Sequence, residues 1–327
     1  MKTLRYILAA VLLMVASQTV LADPATFLVA SASSSGAYGA MLKEIQGVCN
    51  TDDFVIKEVP IANGGATENL EALVNNTVSA AFLHSDVIYA LAQADSKYRQ
   101  YKTLVNLYPE EIHVVALRTA KETKGGVAGI GGTMSVYASL SDLKGLKVGA
   151  AGGGIITARI LTGQGEGHFD VVPLDNGKAV LEALKAGQIQ AAIFVGGSPL
   201  PNIAQLNQAE YKLLPIGDTI ASKVSGVYRP AVINYTNMKS GPVKTLAASA
   251  IILTRQYKTP KMVAPQVQFR SCFYEKLAEL QETPGTHKKW QEVDPADHGV
   301  WEWYELPNGN IAPSSAPVTA EKPSTKK

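Results

Sequence analysis

Five turns carry the side chains with the most chemistry to offer. Each follows a short apolar run and is made of serine, glycine, asparagine or an acid. Ser33-Ser34-Ser35-Gly36-Ala37-Tyr38 follows Phe27 to Ala32, and Asn63-Gly64-Gly65-Ala66-Thr67-Glu68-Asn69 follows Phe54 to Ile61. His84-Ser85-Asp86 follows Ala80 to Leu83, Gly152-Gly153-Gly154 follows Lys147 to Ala151, and Gly196-Gly197-Ser198-Pro199 follows Ala191 to Val195. Hydroxyls and unpaired backbone N–H groups at a helix start donate hydrogen bonds to anions. Glycine lets the backbone approach a ligand closely. The chemistry these turns offer is recognition of a small molecule, and a carboxylate is the group they suit.

The elements that must position these turns are short strands alternating with helices. That alternation predicts an α/β fold with parallel strands whose carboxyl ends cluster at one edge. Residues 26–118 read as β-α-β-α-β-α-β. Gly36 to Val48 has helical spacing, with Leu42 and Ile45 inward, and Thr67 to Val74 is a second helix. Thr103 to Leu107 and His113 to Arg118 read as two strands around Tyr108-Pro109-Glu110. A second α/β unit follows, with strands at Lys147 to Ala151, Phe169 to Pro173, Ala191 to Val195 and Lys212 to Ile216. The helix from Lys178 to Ala186 stops at Gly187. Farther on, residues 231–235 read as a strand, and Val243 to Gln256 and Val267 to Leu280 as helices. Residues 123–135 are rich in glycine, lack the Lys-Ser/Thr of a phosphate loop and follow no strand directly. The end beyond Pro307 is rich in Pro, Ser, Thr, Ala and Lys and is expected to be disordered.

The amino terminus reads as a secretory signal: Lys2 and Arg5 precede the apolar stretch Tyr6 to Ala16, and Val20 and Ala22 precede a cleavage point after Ala22. Its removal leaves as many basic as acidic residues, which argues against nucleic acid or an anionic membrane as partner. An exported, periplasmic protein is expected. Cys49 and Cys272 are the only cysteines; export permits a disulfide between them, and two buried thiols are the alternative. The roughly 305 remaining residues suggest two units rather than one core. The expected division is a signal at 1–22, a discontinuous lobe 1 at 23–117 and 230–306, lobe 2 at 118–229 and a tail at 307–327. The crossings between lobes would be strands near His113–Arg118 and Tyr228–Tyr235.

Several catalytic arrangements are missing from the sequence. There is no His-Glu-x-x-His, and Gly196-Gly197-Ser198-Pro199-Leu200 lacks the last glycine of a nucleophile elbow. Glu110 and Glu111 are adjacent, so a strand would send them to opposite faces. His84 and His113 read as packed histidines. No catalytic residue, metal ligand or cofactor is expected.

The turns, taken in order, resemble the TAXI family of solute-binding proteins that serve tripartite ATP-independent periplasmic (TRAP) transporters. The residues that carry the likeness are Ser34-Ser35-Gly36-Ala37-Tyr38, Gly64-Gly65-Ala66-Thr67-Glu68-Asn69-Leu70, Ser85-Asp86-Val87-Ile88-Tyr89, Leu107-Tyr108-Pro109-Glu110, Leu143-Lys144-Gly145-Leu146-Lys147-Val148 and Ala183-Leu184-Lys185-Ala186-Gly187, over roughly residues 26–280. The resemblance implies a two-lobed periplasmic binding protein (type II-like) with a ligand cleft between the lobes. It would be a non-catalytic monomer that closes on a small carboxylate or amino acid and delivers it to membrane permease subunits. It places ligand contacts at Ser34, Ser35, Tyr38, Asn63, Glu68, Asn69, Ser85, Asp86, Tyr108 and Glu110 in lobe 1. In lobe 2 it places them at Gly152, Gly153, Gly154, Thr157, Gly197 and Ser198. On the residues alone, Asp86 is equally a helix cap or a partner for an amine. The family's lobe 2 turn usually reads Gly-Ser-Gly-Thr, whereas Gly152-Gly153-Gly154-Ile155 lacks both hydroxyls. Rivals are the same scaffold serving an ABC importer or a sensor kinase, a secreted enzyme, and an interaction protein that uses Trp301-Glu302-Trp303-Tyr304.

Overall fold

The computed structural model describes residues 24–31, 36–61, 65–118, 121–124, 133–238 and 241–306. Ser34, Ser35, Asn63, the signal, the core of the glycine-rich run and the tail lie outside these residues. The first half is built from β1 (Ala25–Ala30), α1 (Ala37–Cys49), β2 (Phe54–Val59), α2 (Ala66–Val74), β3 (Ala80–His84) and α3 (Ser85–Ala94). β2, β1 and β3 are neighbours in parallel. The strands form from apolar runs: all five residues of β3 are buried. α1 forms because Tyr38, Met41, Leu42, Ile45 and Cys49 recur at helical spacing on its buried side.

The long strand β4 (Tyr101–Leu117) leaves this half and enters the second. A short antiparallel pair, β5 (Lys121–Lys124) and β6 (Thr133–Val136), leads to β7 (Lys147–Ala151), α4 (Gly153–Thr162), β8 (Asp170–Leu174), α5 (Gly177–Lys185) and β9 (Ala191–Gly196). β8, β7 and β9 are again parallel. α5 ends where Gly187, at φ +72°, turns back. Its N–H bonds to Leu184 and that of Gln188 to Ala183, a closure that glycine permits because it tolerates a left-handed backbone. α6 (Pro201–Ala204), β10 (Tyr211–Leu214), α7 (Asp218–Lys223) and β11 (Arg229–Ile233) complete the second half. β12 (Val243–Arg255) and α8 (Pro260–Glu282) return to the first.

All the main strands join one sheet in the order β2-β1-β3-β12-β4-β9-β7-β8, with β10 on β4 and β11 on β12. The two parallel trios are therefore linked by an antiparallel middle pair, β4 and β12. The halves keep separate apolar cores. One packs α1 and α8 around Phe27, Phe54, Phe269 and Trp290, and another packs α4 and α7 around Leu140, Leu161, Ile193 and Tyr228.

Three expectations are overturned. Val243 to Gln256 is not a helix: Val243–Arg255 is a strand, buried along nearly its whole length between β3 and β4. A strand buried on both faces is apolar at every position and loses the alternation that marks a strand. The two strands expected around Pro109 are one, because Pro109 faces Ser249 beside a register shift, a place where a proline is tolerated inside a sheet. Consequently the crossing strands are β4 and β12, and β11 lies beside β12 rather than serving as a crossing itself.

Cys49 and Cys272 form a disulfide, with Cα atoms 5.9 Å apart, that ties α1 to α8. The C-terminal aromatic segment docks on β4. Thr103 exchanges backbone hydrogen bonds with Glu302 and Tyr304, and the Trp301 indole donates to the Tyr101 carbonyl at 2.8 Å.

Candidate functional site

The carboxyl ends of β1, β2 and β3 face those of β7, β8 and β9 across the middle pair, so the polar turns of both halves meet. Two cavities open there. One, of about 580 Å³, lies between the start of α2 with His84 on one side and Gly152–Gly154, Asp175 and Phe194 on the other. The second, of about 650 Å³, lies between the start of α1, Tyr108 and Lys289 on one side and Gly196 to Pro201 on the other. Tyr38, Glu110 and Val195 line both, so the cavities meet at these residues. Each volume is in the range that encloses a small molecule.

Two glycines fix how closely the halves approach. A Cβ at Gly153 would stand 2.7 Å from Cε1 of His84 and 2.9 Å from Cβ of Ala66. At Gly197 a Cβ would stand 3.0 Å from Cε2 of Tyr108 and would overlap the Lys289 side chain. A side chain at Gly153 would have to displace His84 or Ala66, and one at Gly197 the Lys289 side chain and the Tyr108 ring.

Beneath the contact lies a buried polar junction. Asp86, 0% exposed, pairs with His84 Nδ1 and accepts hydrogen bonds from Thr157 Oγ1 and the Tyr228 hydroxyl, both at 2.6 Å. Burial alone would hinder ionisation of Asp86. The His84 charge and the hydroxyls outweigh it and lower the Asp86 pKa. Burial alone would likewise lower His84, and the Asp86 carboxylate raises it instead.

Glu110 is different. It is 6% exposed and accepts a hydrogen bond from the Tyr38 hydroxyl at 2.5 Å. Burial raises its pKa, and Asp86 and Glu111 add to this against the opposing pull of His84 and Tyr38. Glu111, next in the strand, accepts from the Ser198 N–H at 2.7 Å and pairs with Lys289 at 3.5 Å. Farther along β4, burial lowers the His113 pKa to about 4, and its Nε2 lies 2.8 Å from the Tyr235 hydroxyl. That hydroxyl in turn accepts from the Leu200 N–H at 2.7 Å. Among the described residues, no group of three or more His, Cys, Asp or Glu is placed to hold a metal ion. No helix there is long and apolar enough to cross a membrane.

Residues 29–300 match the model of the NMT1-like family. The chain belongs to that family. Its fold is similar to that of a Salmonella typhimurium periplasmic binding protein described for its high arginine specificity. The TM-score is 0.50 and the identity 12%, over 82% of this chain and 99% of the other. An ancestral arginine-binding protein aligns at TM-score 0.49 and 13% identity, over 83% of this chain and 98% of that one. The α/β architecture of this NMT1-like protein is thus that of a two-lobed periplasmic binding protein.

The fold gathers some of the expected residues on the cavities and leaves others off them. Tyr38, Glu68, Glu110 and Gly152–Gly154 line the first cavity, and Tyr38, Tyr108, Glu110, Gly197 and Ser198 the second. Asn69, Ser85, Asp86 and Thr157 line neither. All four are 0% exposed and bonded inside the protein: the Asn69 amide donates to the Phe82 carbonyl at 2.9 Å, and Ser85 accepts from the Ser249 N–H at 3.2 Å. Asp86 belongs to the junction rather than capping α3 with its side chain. His84, Asp175, Phe194 and Lys289 line the cavities without having been expected there. Lys289 sits on a one-turn helix more than 170 residues beyond Glu111, and no local motif announces it. His84 had a signal in its place at the end of β3, directly before a polar helix start.

Proposed function

We propose that this chain is the exported solute-binding subunit of a membrane importer. It would capture a small solute, of the amino-acid or carboxylate class, between two lobes and deliver it to permease subunits. The observation that carries this reading is the seating of Gly153 and Gly197 of one half directly against His84, Ala66 and Tyr108 of the other, around cavities of small-molecule size. Such a contact is what a cleft makes when it closes. The elements before β4, with α8 and the segment after it, would form lobe 1, and β5 through β11 would form lobe 2, with β4 and β12 as the strands that flex; the boundary expected at 230 then moves into β12. The free N–H groups that open α4 at Gly152–Gly154 would receive a carboxylate on the solute. Tyr38, Glu110, Tyr108 and Ser198 would contact the rest. The protein acts as a monomer, without catalysis, in the periplasm after cleavage behind Ala22.

The likeness of the turns to the TAXI family supports a TRAP-type permease. The second reading, an ABC importer on the same scaffold, is supported by the fold as a periplasmic binding protein. Uptake into vesicles bearing a candidate permease together with this chain separates them. Uptake driven by an ion gradient without ATP supports the first, and strict dependence on ATP hydrolysis supports the second. Calorimetry on the refolded mature chain tests the shared claim: saturable binding of one small solute supports it, and heat-silent titrations across amino acids, amines and dicarboxylates contradict it.

A further inference from the structure

We propose that the cleft is built for a solute of net positive charge, a small molecule with an ammonium or guanidinium group beyond any α-amino group, and that Glu110 is the residue that pairs with that charge. The inference rests on the solute-binding reading and adds the chemical class of the solute.

Three carboxylates form the heart of the cleft, and their partners differ. Asp86 is saturated by His84, Thr157 and Tyr228. Glu111 has Lys289 and the Ser198 N–H. Glu110 is buried at the point where both cavities meet, and among the described residues it forms no ion pair; Tyr38 gives it one hydrogen bond. A buried carboxylate without a cation is unfavourable unless something brings the cation. The lining of the first cavity reinforces the sign. It contains Glu68 and Asp175 with Glu110 and no lysine or arginine, and its one basic side chain, His84, is engaged by Asp86.

A second observation points to a ligand. Tyr108, two residues before Glu110 on β4, is 1% exposed and lines the second cavity; its hydroxyl makes no hydrogen bond of full geometry, and the Glu110 carboxylate lies close enough to act on it. Buried hydroxyls are nearly always partnered. A phenolic oxygen accepts from an ammonium or guanidinium N–H, and Tyr38 and Phe194, aromatic residues of the kind that attract a cation, line the first cavity.

The test uses the whole mature chain, refolded from urea to strip any carried solute, and isothermal titration with L-arginine, L-lysine, putrescine, L-citrulline, L-glutamate and succinate. L-citrulline has nearly the shape of L-arginine and the same α-ammonium and α-carboxylate, without the side-chain guanidinium charge, so the wild-type protein alone discriminates. The expected result is saturable binding of at least one cationic probe and binding of L-citrulline, L-glutamate and succinate weaker by about thirtyfold or more. Glu110→Gln, checked for a native circular dichroism spectrum, should lose the cationic probe by a similar factor, and Glu110→Asp should lose less. Preferred binding of L-glutamate, succinate or L-citrulline, or a cation affinity untouched in a folded Glu110→Gln, would overturn the cationic assignment and leave the solute-binding reading standing. Failure of every probe to bind would overturn both.

Discussion

A buried carboxylate is tolerated when its surroundings replace the water it has lost. For Asp86 they do: one imidazole and two hydroxyls surround it. Removing its charge would leave His84 without a partner, so Asp86→Asn should destabilise the fold by about 3–5 kcal/mol in chemical denaturation. An unchanged midpoint would contradict the junction's role. The pH profile of this pair follows from its two shifts. Asp86 titrates below its ordinary value, so its contribution is complete above 3.8 and is lost as pH falls through the lowered value. His84 titrates above its ordinary value, so its contribution is complete below 6.5 and is lost as pH rises through the raised value. The pair therefore stabilises most between those two ordinary values. Glu110 has the opposite sign from Asp86. Its raised pKa means the folded chain keeps a proton that the unfolded chain has already released, so stability falls as pH climbs from 4.5. Without solute, Glu110→Gln should melt above the wild type at neutral pH and approach it in acid. Identical melting curves at every pH would refute that. The candidate site was partly legible at this scale: Tyr38, Glu68, Tyr108, Glu110 and the glycines are placed on the cavities by strand ends and turns. Asp86 was not, because whether an acid after a strand faces a ligand or an internal histidine depends on Thr157 and Tyr228, which come from far along the chain.

At the scale of elements, the turns act through what they lack. The start of α4 bears on the end of β3 because Gly153 has no side chain. Gly153→Ala should force the two apart and weaken solute binding, with an overpacking penalty of about 1–3 kcal/mol in the closed state and little change in the melting of the solute-free chain. Gly226→Ala, where the added carbon meets nothing within 4 Å, serves as the comparison and should bind as the wild type does. Equal affinities for the two variants would contradict closure at Gly153. The helices and the parallel strands were readable because their apolar periodicity is local. β12 was not, because its residues between Lys244 and Arg255 are apolar or small on both faces and resemble a buried helix as much as a strand. β4 reads from the sequence as two strands around Pro109, since the register shift that accommodates the proline lies in the pairing with β12 and not in β4 itself.

At the scale of the whole molecule, the last third of the chain returns to the first. α8 packs on α1, the disulfide between Cys49 and Cys272 spans 223 residues, and the segment from Trp301 to Tyr304 adds to the edge of β4 at Thr103. Reducing the disulfide should lower stability by about 2–5 kcal/mol, because it releases a long loop in the unfolded chain. Melting with and without reductant measures it, and equal curves would show that the α1–α8 packing suffices alone. In the proposed function, two lobes joined by β4 and β12 close around a solute. Small-angle X-ray scattering of the refolded chain, before and after a saturating pool of amino acids, amines and dicarboxylates, tests this most directly. The expected result is a smaller radius of gyration with the pool than without it, and no such contraction for Gly153→Ala. A radius unchanged by a pool that calorimetry shows to bind would contradict it.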